Sequence, residues 1–209
     1  MKPLLIVGAG GHAREAVDVA AAINERAPTH RLVGLVDDDP DPDLRGRSLT
    51  VVGPIEPGAV DGCSYVIAIG DPATRAVVAG RLGQSGTPVN LVHPLASQGH
   101  DVHLGPGAIV AAGARLTTNI SVGVHVHLNP NVVVSHDCVL GDFVSCSPGV
   151  VLSGEVTVGS RVLLGSGAVV LPGCQIGDDV TVGAGAVVTG PVPSGATVVG
   201  APARPTHEH

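Results

Sequence analysis

His136 and Asp137 are adjacent in the sequence and form the pair best suited to proton transfer. An imidazole can accept a proton from a nucleophile near neutral pH. A carboxylate beside it can orient the ring and favour its charged form. The alternative interpretation is a solvated surface histidine with no chemical role. The position of His136 in the fold therefore bears directly on which interpretation holds.

A second group of residues near the amino terminus has the character of a phosphate-binding site. Residues 4–8 are apolar and lead through a glycine-rich turn into a helical segment, and two later apolar strands end in aspartate or glycine. Alternating strands and helices predict a parallel, Rossmann-like sheet, whose ligands bind beyond the carboxyl ends of the strands. Glycine lets the backbone approach a phosphate, and a helix amino terminus favours negative charge. The predicted crevice residues are Gly10, Gly11, His12, Asp37, Asp38 and Gly70.

Several interpretations of this crevice stay open from the sequence. The turn can also be a tight turn without a ligand, and His12 can donate to a diphosphate or ribose, or only cap the turn. Asp37 and Asp38 can hold a ribose hydroxyl or a uracil, or only close the strand end. About 95 residues make half of a dinucleotide-binding double unit, so a nucleotide attached to another group fits better. We predict this domain at residues 1–95 and a second domain at residues 96–209.

The second domain carries a repeat with a period of six. Every sixth residue from Leu104 to Val188 is aliphatic or cysteine, and a smaller apolar column runs two residues earlier, from Val102 to Ala186. Short fixed-period repeats indicate a β-solenoid, whereas a β-sandwich would show variable spacings of roughly 8 to 12 residues. Glycine recurs every 18 residues from Gly105. We predict a left-handed parallel β-helix of five triangular coils, with glycine and polar residues at corners where positive φ is needed.

The winding predicts where the histidines lie. His136 follows the inward-facing Val134 by two residues, so we expect it to project outward from a corner. His125 and His127 are also expected to face outward and are weaker candidates for substrate contact. The residues of adjacent coils beside His136 and Asp137 are Thr118, Asn119, Gly154 and Glu155.

Composition excludes several classes of function. The formal charge of −7 argues against binding nucleic acid or an anionic membrane, since both require clustered Lys and Arg. The amino terminus lacks the apolar stretch of a signal peptide, and no run approaches the roughly 20 apolar residues of a membrane span. We therefore predict a cytoplasmic protein. Four cysteines without CxxC spacing indicate neither a zinc site nor a disulfide framework, so no metal is expected.

Several motifs together resemble a known family. They are the amino-terminal GAGGHA turn, the acidic pair after the second strand, IGD after the third, VVVSHDCVLGDF in the hexapeptide region and the tail VVGAPARP. The chain thereby resembles the sialic acid O-acetyltransferase and PglD-like sugar N-acetyltransferase family over essentially its whole length. The resemblance implies a homotrimer of β-helices that uses acetyl-CoA, with a nucleotide-linked amino sugar held by the amino-terminal domain.

The same resemblance implies roles for individual residues. His136 falls on the family's catalytic histidine, and Asp137 stands where a neighbouring acidic residue is usual. Contacts to acetyl-CoA are implied near Ser145, Ser166 and Ala184, and contacts to the sugar nucleotide at the six crevice residues named above. One departure is Ser145, because the bacillosamine-pathway member has a second histidine there. Serine cannot carry a positive charge to the thioester.

The repeat adds an argument for the trimer. Ser166 and Ala184 are 18 residues apart and stack on one corner, whereas His136 belongs to another corner. Only packing against a neighbouring subunit would bring the two corners together. We therefore expect active sites between subunits. The carboxyl-terminal segment 200–204 can place its arginine near a CoA phosphate or cap the open end of the β-helix.

N-acetylation of a nucleotide-linked amino sugar is the function that we predict first, and O-acetylation of sialic acid is the alternative. A carbonic anhydrase-like zinc hydratase would need three histidines that converge at a subunit interface. The β-helix offers His125, His127 and His136, but a hydratase has no use for a nucleotide-type domain. A noncatalytic nucleotide-sugar sensor is the remaining alternative.

Overall fold

A computed structural model describes residues 1–40 and 49–206 of the chain. It contains an amino-terminal α/β domain followed by a parallel β-helix, which confirms the predicted fold class. Among these residues, no helix has both the length and the apolar character needed to cross a bilayer.

The amino-terminal domain is a five-stranded parallel sheet with strand order β3-β2-β1-β4-β5. Its elements are β1 (Lys2–Val7), α1 (Gly11–Arg26), β2 (His30–Val36), β3 (Val51–Gly53), β4 (Ser64–Ile67), α2 (Pro72–Leu82) and β5 (Thr87–Pro88). Successive residues of β1 point to opposite faces, so Leu4 packs in a cluster with α1 and Leu5 in a cluster with α2. The sheet is thereby covered on both faces, as a parallel sheet requires.

The two helices begin where the sequence provides a suitable start. Gly10 precedes α1 without a capping side chain, which leaves the first backbone N–H groups of this helix available. Asp71 caps α2, because its Oδ1 accepts a hydrogen bond from the Thr74 N–H at 2.7 Å, and Pro72 occupies the first turn. α2 ends at Leu82 and is followed by the cap residue Gly83, whose φ is 59°. Both amino termini lie directly after the carboxyl ends of strands.

The β-helix has three parallel faces, which we number in chain order. The first face contains β6 (Leu91–Val92), β9 (Ile109–Val110), β12 (His127–Leu128), β15 (Ser145–Cys146), β18 (Leu163–Leu164), β21 (Thr181–Val182), β23 (Thr197–Val199) and the antiparallel β24 (Arg204–Pro205). The second contains β7 (Ser97–Gln98), β10 (Arg115–Leu116), β13 (Val133–Val134), β16 (Val151–Leu152), β19 (Val169–Val170) and β22 (Val187–Val188). The third contains β8 (Val102–Leu104), β11 (Ile120–Val122), β14 (Val139–Leu140), β17 (Thr157–Val158) and β20 (Gln175–Ile176). Paired positions differ by 18 residues, as in Val133 and Val151, so the predicted winding is confirmed.

The core of the β-helix consists of the two predicted apolar columns. Val132 and Val134 are both fully buried, and the same holds for the corresponding residues of neighbouring coils. The strands continue beyond the repeat seen in the sequence between Val102 and Val188, from Leu91 to Val199. The last strand of the amino-terminal sheet is β5, whereas β6 pairs with β9 in the β-helix. The predicted boundary after residue 95 therefore falls inside the first coil.

Glycine and polar residues do occupy corners with positive φ, as predicted, but the 18-residue glycine series is not among them. Positive φ occurs every six residues from Asp101 to Gly185, and nine of these positions are not glycine. The series that begins at Gly105 does not have positive φ. At Gly123 an added Cβ would lie 2.6 Å from the carbonyl carbon of Gly141 in the next coil. Glycine is required there because backbones of successive coils approach closely.

Candidate active site

His136 projects from the corner between the second and third faces, which we call the second corner. It follows β13, and its side chain is 56% exposed. The Nδ1–H donates a hydrogen bond to Asp137 Oδ2 at 2.7 Å, because a carboxylate can only accept. This bond leaves the lone pair of Nε2 directed away from the carboxylate. His136 therefore projects outward beside an acidic residue, as predicted.

Asp137 is held by a second hydrogen bond and by an unusual backbone conformation. Its φ is 61°, and Asn119 Nδ2 of the preceding coil donates to its Oδ1 at 2.5 Å. The bonds from Asn119 and from His136 lower the pKa of Asp137 below its ordinary value. The carboxylate is therefore ionised at neutral pH and can orient the imidazole.

Gly154 lies under the His136 ring in the following coil. A Cβ at this position would lie 2.4 Å from Cε1 and 2.6 Å from Nε2 of the imidazole. Contacts this short do not occur between ordinary side chains, so only glycine allows the ring to take this orientation. The coil stacking that was predicted from the sequence thus creates the space that the imidazole occupies.

The predicted crevice is a cavity of about 390 Å³ at the carboxyl ends of β1, β2 and β4. Gly10, Gly11, His12, Asp37 and Gly70 line it. Asp37 also joins two strand ends, because its Oδ2 accepts the Ala9 N–H at 2.6 Å. The free N–H groups at the start of α1 and the small residues around them suit a phosphate group.

Asp38 does not line this cavity, although the other five predicted crevice residues do. Its carboxylate pairs with Arg81 at 2.7 Å and accepts the Ile55 N–H at 2.9 Å. The Arg81 guanidinium and the Ile55 N–H hold the pKa of Asp38 below its usual range. The structure therefore gives Asp38 contacts that close the end of β2.

His12 lies between the crevice and a second, smaller cavity. Its Nδ1–H donates to Glu15 Oε2 at 2.9 Å, and its ring centroid is 4.5 Å from that of His127. Burial lowers the pKa of His12, against the opposing effect of Glu15. Within residues 1–40 and 49–206, its buried Nε2 has no hydrogen-bond partner. A neutral His12 bonded in this way offers Nε2 as an acceptor, so donation to a diphosphate would require its protonation.

The second cavity measures about 200 Å³ and lies between α1 and the corner that joins the first and second faces, which we call the first corner. His12, Glu15, His93, Asn129 and Pro130 are among its lining residues. The last three could not be predicted from the sequence, because only the packing of α1 against the β-helix brings them together. Asn129 and Pro130 follow β12. His136 follows β13, which is the next strand of the same coil. The cavity and His136 therefore lie at one height along the β-helix.

His127 lies in β12 of the first face and His125 just before this strand; both face outward from the β-helix, as predicted, but the amino-terminal domain covers them. They are only 6% and 1% exposed. His127 Nε2–H donates to the Ile67 carbonyl at 2.9 Å, and the His125 ring stacks on Phe143 with centroids 5.5 Å apart. Burial and the nearby positive charge of Arg75 lower the pKa of His125 to about 4 and that of His127 well below its ordinary value. Both are neutral residues of the domain junction.

The three residues expected near acetyl-CoA do not lie together. Ser166 and Ala184 are exposed neighbours at the first corner, joined by the hydrogen bond from the Gly185 N–H to the Ser166 carbonyl at 2.8 Å. Ser145 lies within β15, is 2% exposed, and donates to the Gly70 carbonyl at 2.7 Å. In one subunit, Ser145 is therefore a junction residue rather than part of the exposed corner.

A metal site in the β-helix would need several ligating side chains to converge. In the described part of the chain, no group of three His, Cys, Asp or Glu side chains is arranged to hold a metal ion. His125 and His127 are enclosed at the domain junction, whereas His136 is exposed at the second corner. The three histidines of the β-helix that a zinc hydratase would use therefore do not converge within one subunit.

Protein-family models match one segment in each domain of the chain. The PglD N-terminal domain family matches residues 3–82, and the family of bacterial transferase hexapeptide repeats matches residues 155–190. Comparison with curated protein sequences gave no match.

Solved structures match the whole chain. The acetyltransferase domain of PglB from Neisseria gonorrhoeae FA1090 is 29% identical, with a TM-score of 0.86 over 99% of this chain and 100% of that one. A variant of perosamine N-acetyltransferase from Caulobacter crescentus, in complex with CoA and GDP-perosamine, is 30% identical, with a TM-score of 0.83 over 100% of this chain and 98% of that one. WeeI from Acinetobacter baumannii AYE is 28% identical, with a TM-score of 0.77 over 99% and 100%.

Proposed function

Because the chain belongs to the PglD-like family of hexapeptide-repeat sugar acetyltransferases, we propose that it transfers an acetyl group from acetyl-CoA to the amino group of a nucleotide-linked amino sugar. The similar perosamine N-acetyltransferase binds CoA and GDP-perosamine, and it matches this chain over both domains. The observation that carries the proposal is the exposed His136, held by Asp137 on a β-helix that is joined to a glycine-lined crevice of about 390 Å³.

The proposed reaction assigns His136 the role of general base. Nε2 takes a proton from the amine as its nitrogen attacks the carbonyl carbon of the thioester. The C–S bond then breaks, and the proton passes to the sulfur, so that coenzyme A leaves as the thiol. Asp137 stabilises the imidazolium that forms between the two proton transfers, because its carboxylate accepts the Nδ1–H throughout.

The crevice residues support the choice of acceptor. The glycines at the start of α1 provide backbone N–H groups for a diphosphate, and the cavity beyond His12 provides room for an attached sugar. Glu15 lines this cavity and can attract the ammonium form of an amino sugar, which must release one proton to solvent before the neutral amine attacks. A nucleotide sugar can extend from the crevice past His12 to the first corner, where Ser166 and Ala184 are proposed to contact acetyl-CoA.

We also propose that the active form is a homotrimer. Four half-buried valines project outward on successive strands of the second face and form an apolar stripe that a neighbouring copy can cover; they are Val133, Val151, Val169 and Val187. Parallel packing of copies brings the second corner of one subunit to the first corner of the next. His136 at the second corner and Asn129 at the first corner belong to one coil. In the proposed trimer, the histidine of one subunit therefore meets the smaller cavity of its neighbour.

The proposal is tested by following thiol release from acetyl-CoA in the presence of amino sugars linked to UDP, GDP or dTDP, with free sialic acid for comparison. We expect release with a nucleotide amino sugar and a loss of about 10²- to 10⁴-fold in kcat for His136→Ala. The matched control is His100→Ala, an exposed histidine in the same column two coils away. Undiminished transfer by His136→Ala contradicts its role as base, and transfer to sialic acid alone indicates the O-acetyltransferase instead. Binding without thiol release indicates a sensor.

A further inference from the structure

Arg75 is an arginine of α2 that is completely buried between the two domains. Its Nη1 donates to the Ile69 carbonyl at 2.6 Å and the Gly70 carbonyl at 3.1 Å in its own domain. Burial lowers the pKa of Arg75 to about 9, so the guanidinium remains charged at neutral pH. It accordingly acts as a set of hydrogen-bond donors with fixed directions.

The same guanidinium reaches three consecutive residues of the β-helix and one from the preceding coil. Nη2 donates to the Phe143 carbonyl at 2.8 Å, the Val144 carbonyl at 3.3 Å and Ser145 Oγ at 2.9 Å. Nε donates to the His125 carbonyl at 2.9 Å. All of these acceptors are neutral oxygens.

Ser145 completes the arrangement from the β-helix. Its hydroxyl accepts from Arg75 and donates to the Gly70 carbonyl at 2.7 Å. The carbonyl of Gly70 therefore receives hydrogen bonds from both domains. Apolar packing alone would join the domains without the cost of burying a charge, so what the guanidinium adds is a fixed geometry.

Two parts of the proposed active site are attached to this arrangement. Ile69 and Gly70 form one wall of the crevice that is proposed to hold the nucleotide. Phe143 follows His136 by seven residues in the same coil. The hydrogen bonds of Arg75 thus connect the crevice wall directly to the coil that carries the proposed base.

We infer that Arg75 is a positioning residue, which fixes the nucleotide crevice at the height of the His136 coil. The inference rests on the proposed function. In a trimer with parallel β-helices, coils of equal number lie at equal height, so a crevice fixed to its own coil is also fixed relative to the histidine of the neighbouring subunit. A displacement of about 1 Å between reacting groups can cost about 100-fold in rate.

The test compares Arg75→Lys, Arg75→Met and Ser145→Ala in the full chain, with Arg161→Met as the matched control. Arg161 is an arginine at the remaining corner of the β-helix, paired there with Asp179. Steady-state kinetics are measured for both substrates, together with the melting temperature. We expect kcat/KM for the nucleotide sugar to fall at least tenfold in both Arg75 variants and less in Ser145→Ala, because serine makes fewer of the bonds. The KM for acetyl-CoA is expected to stay within twofold, because its proposed corner belongs to the β-helix alone.

A folded Arg75→Lys variant with kcat and both KM values within twofold of the parent protein would overturn the inference, however far its melting temperature falls. A parallel rise in the KM of both substrates also overturns it, since that result indicates general damage to the fold. If Arg75→Met does not fold, the inference is tested with Arg75→Lys and Ser145→Ala alone. If the parent protein releases no thiol with any acceptor, the proposed function fails. In that case weaker binding of GDP and UDP by Arg75→Lys supports the inference, and unchanged binding overturns it.

Discussion

Gly154 provides a way to disturb the proposed base without changing the histidine itself. An alanine Cβ at this position would lie 2.4 Å from Cε1 of His136, whereas carbon atoms in contact are about 3.5 Å apart. The ring must therefore move by about 1 Å or rotate away, and the hydrogen bond to Asp137 is lost or lengthened. Misplacement of a reacting group by 1 Å can cost about 100-fold. We expect Gly154→Ala to lower kcat by about that factor.

The backbone of Gly154 allows a clean experiment, because this residue does not have a positive φ. The variant is assayed by thiol release under saturation with both substrates, and its fold is checked by circular dichroism and thermal melting. Gly80→Ala in α2 is the matched control, since nothing lies within 4 Å of an added Cβ there. If folded Gly154→Ala keeps kcat within twofold while His136→Ala is inactive, the orientation of the ring over Gly154 does not matter and the reasoning fails.

Three further predictions concern the ion pair, the coil stacking and the domain junction. Asp137→Asn keeps a hydrogen-bond acceptor but removes the charge, so we expect kcat to fall about tenfold with little change in KM; an unchanged kcat would contradict the electrostatic role. Gly141→Ala should lower the free energy of unfolding by at least about 2 kcal/mol in urea titrations, because the added Cβ would lie 2.7 Å from the Gly159 carbonyl carbon. Equal stability of this variant and the parent protein would contradict the close approach of the two coils. His125 has a pKa of about 4 when folded and 6.5 as its ordinary value, so the unfolded chain binds more protons between these values and stability falls as pH drops through this range. The loss attributable to this group approaches about 3 kcal/mol near pH 4, and a His125→Gln variant with the same pH dependence as the parent protein would refute the assignment.

The β-helix could be predicted because its determinants are local and repeated. Each strand needs only two inward apolar residues, such as Val132 and Val134, and the same requirement recurs in every coil. The outward position of His136 followed from counting residues after Val134. The cause of the glycine series could not be read in the same way, because the approach of Gly123 to the backbone of the next coil is a contact between coils and leaves no sign in composition.

The domain junction could not be predicted, because it depends on residues far apart in the chain. Arg75 stands in a helix with ordinary amphipathic spacing, and its hydrogen-bond partners in the β-helix lie 50 to 70 residues later. His127 was correctly expected to face away from the core of the β-helix, yet nothing in the sequence indicated that the other domain would cover it. Asp37 and Asp38 are adjacent and chemically identical, and the contacts that distinguish them, with Ala9 for Asp37 and with Arg81 for Asp38, are made by residues distant in the chain.

The pairing of equivalent positions 18 residues apart also limits which parts of the chain can vary in length. Loss or gain of one complete coil after β17 would rejoin strands of the same face and leave the three corners in phase. The same change between β9 and β15 would shift Ser145 and its neighbours away from Arg75 by one coil, about 4.8 Å. The fold therefore permits a different number of coils towards the carboxyl terminus, where the proposed contacts of Ser166 and Ala184 with acetyl-CoA oppose such a change, whereas the length of the segment facing the α/β domain is constrained by Arg75.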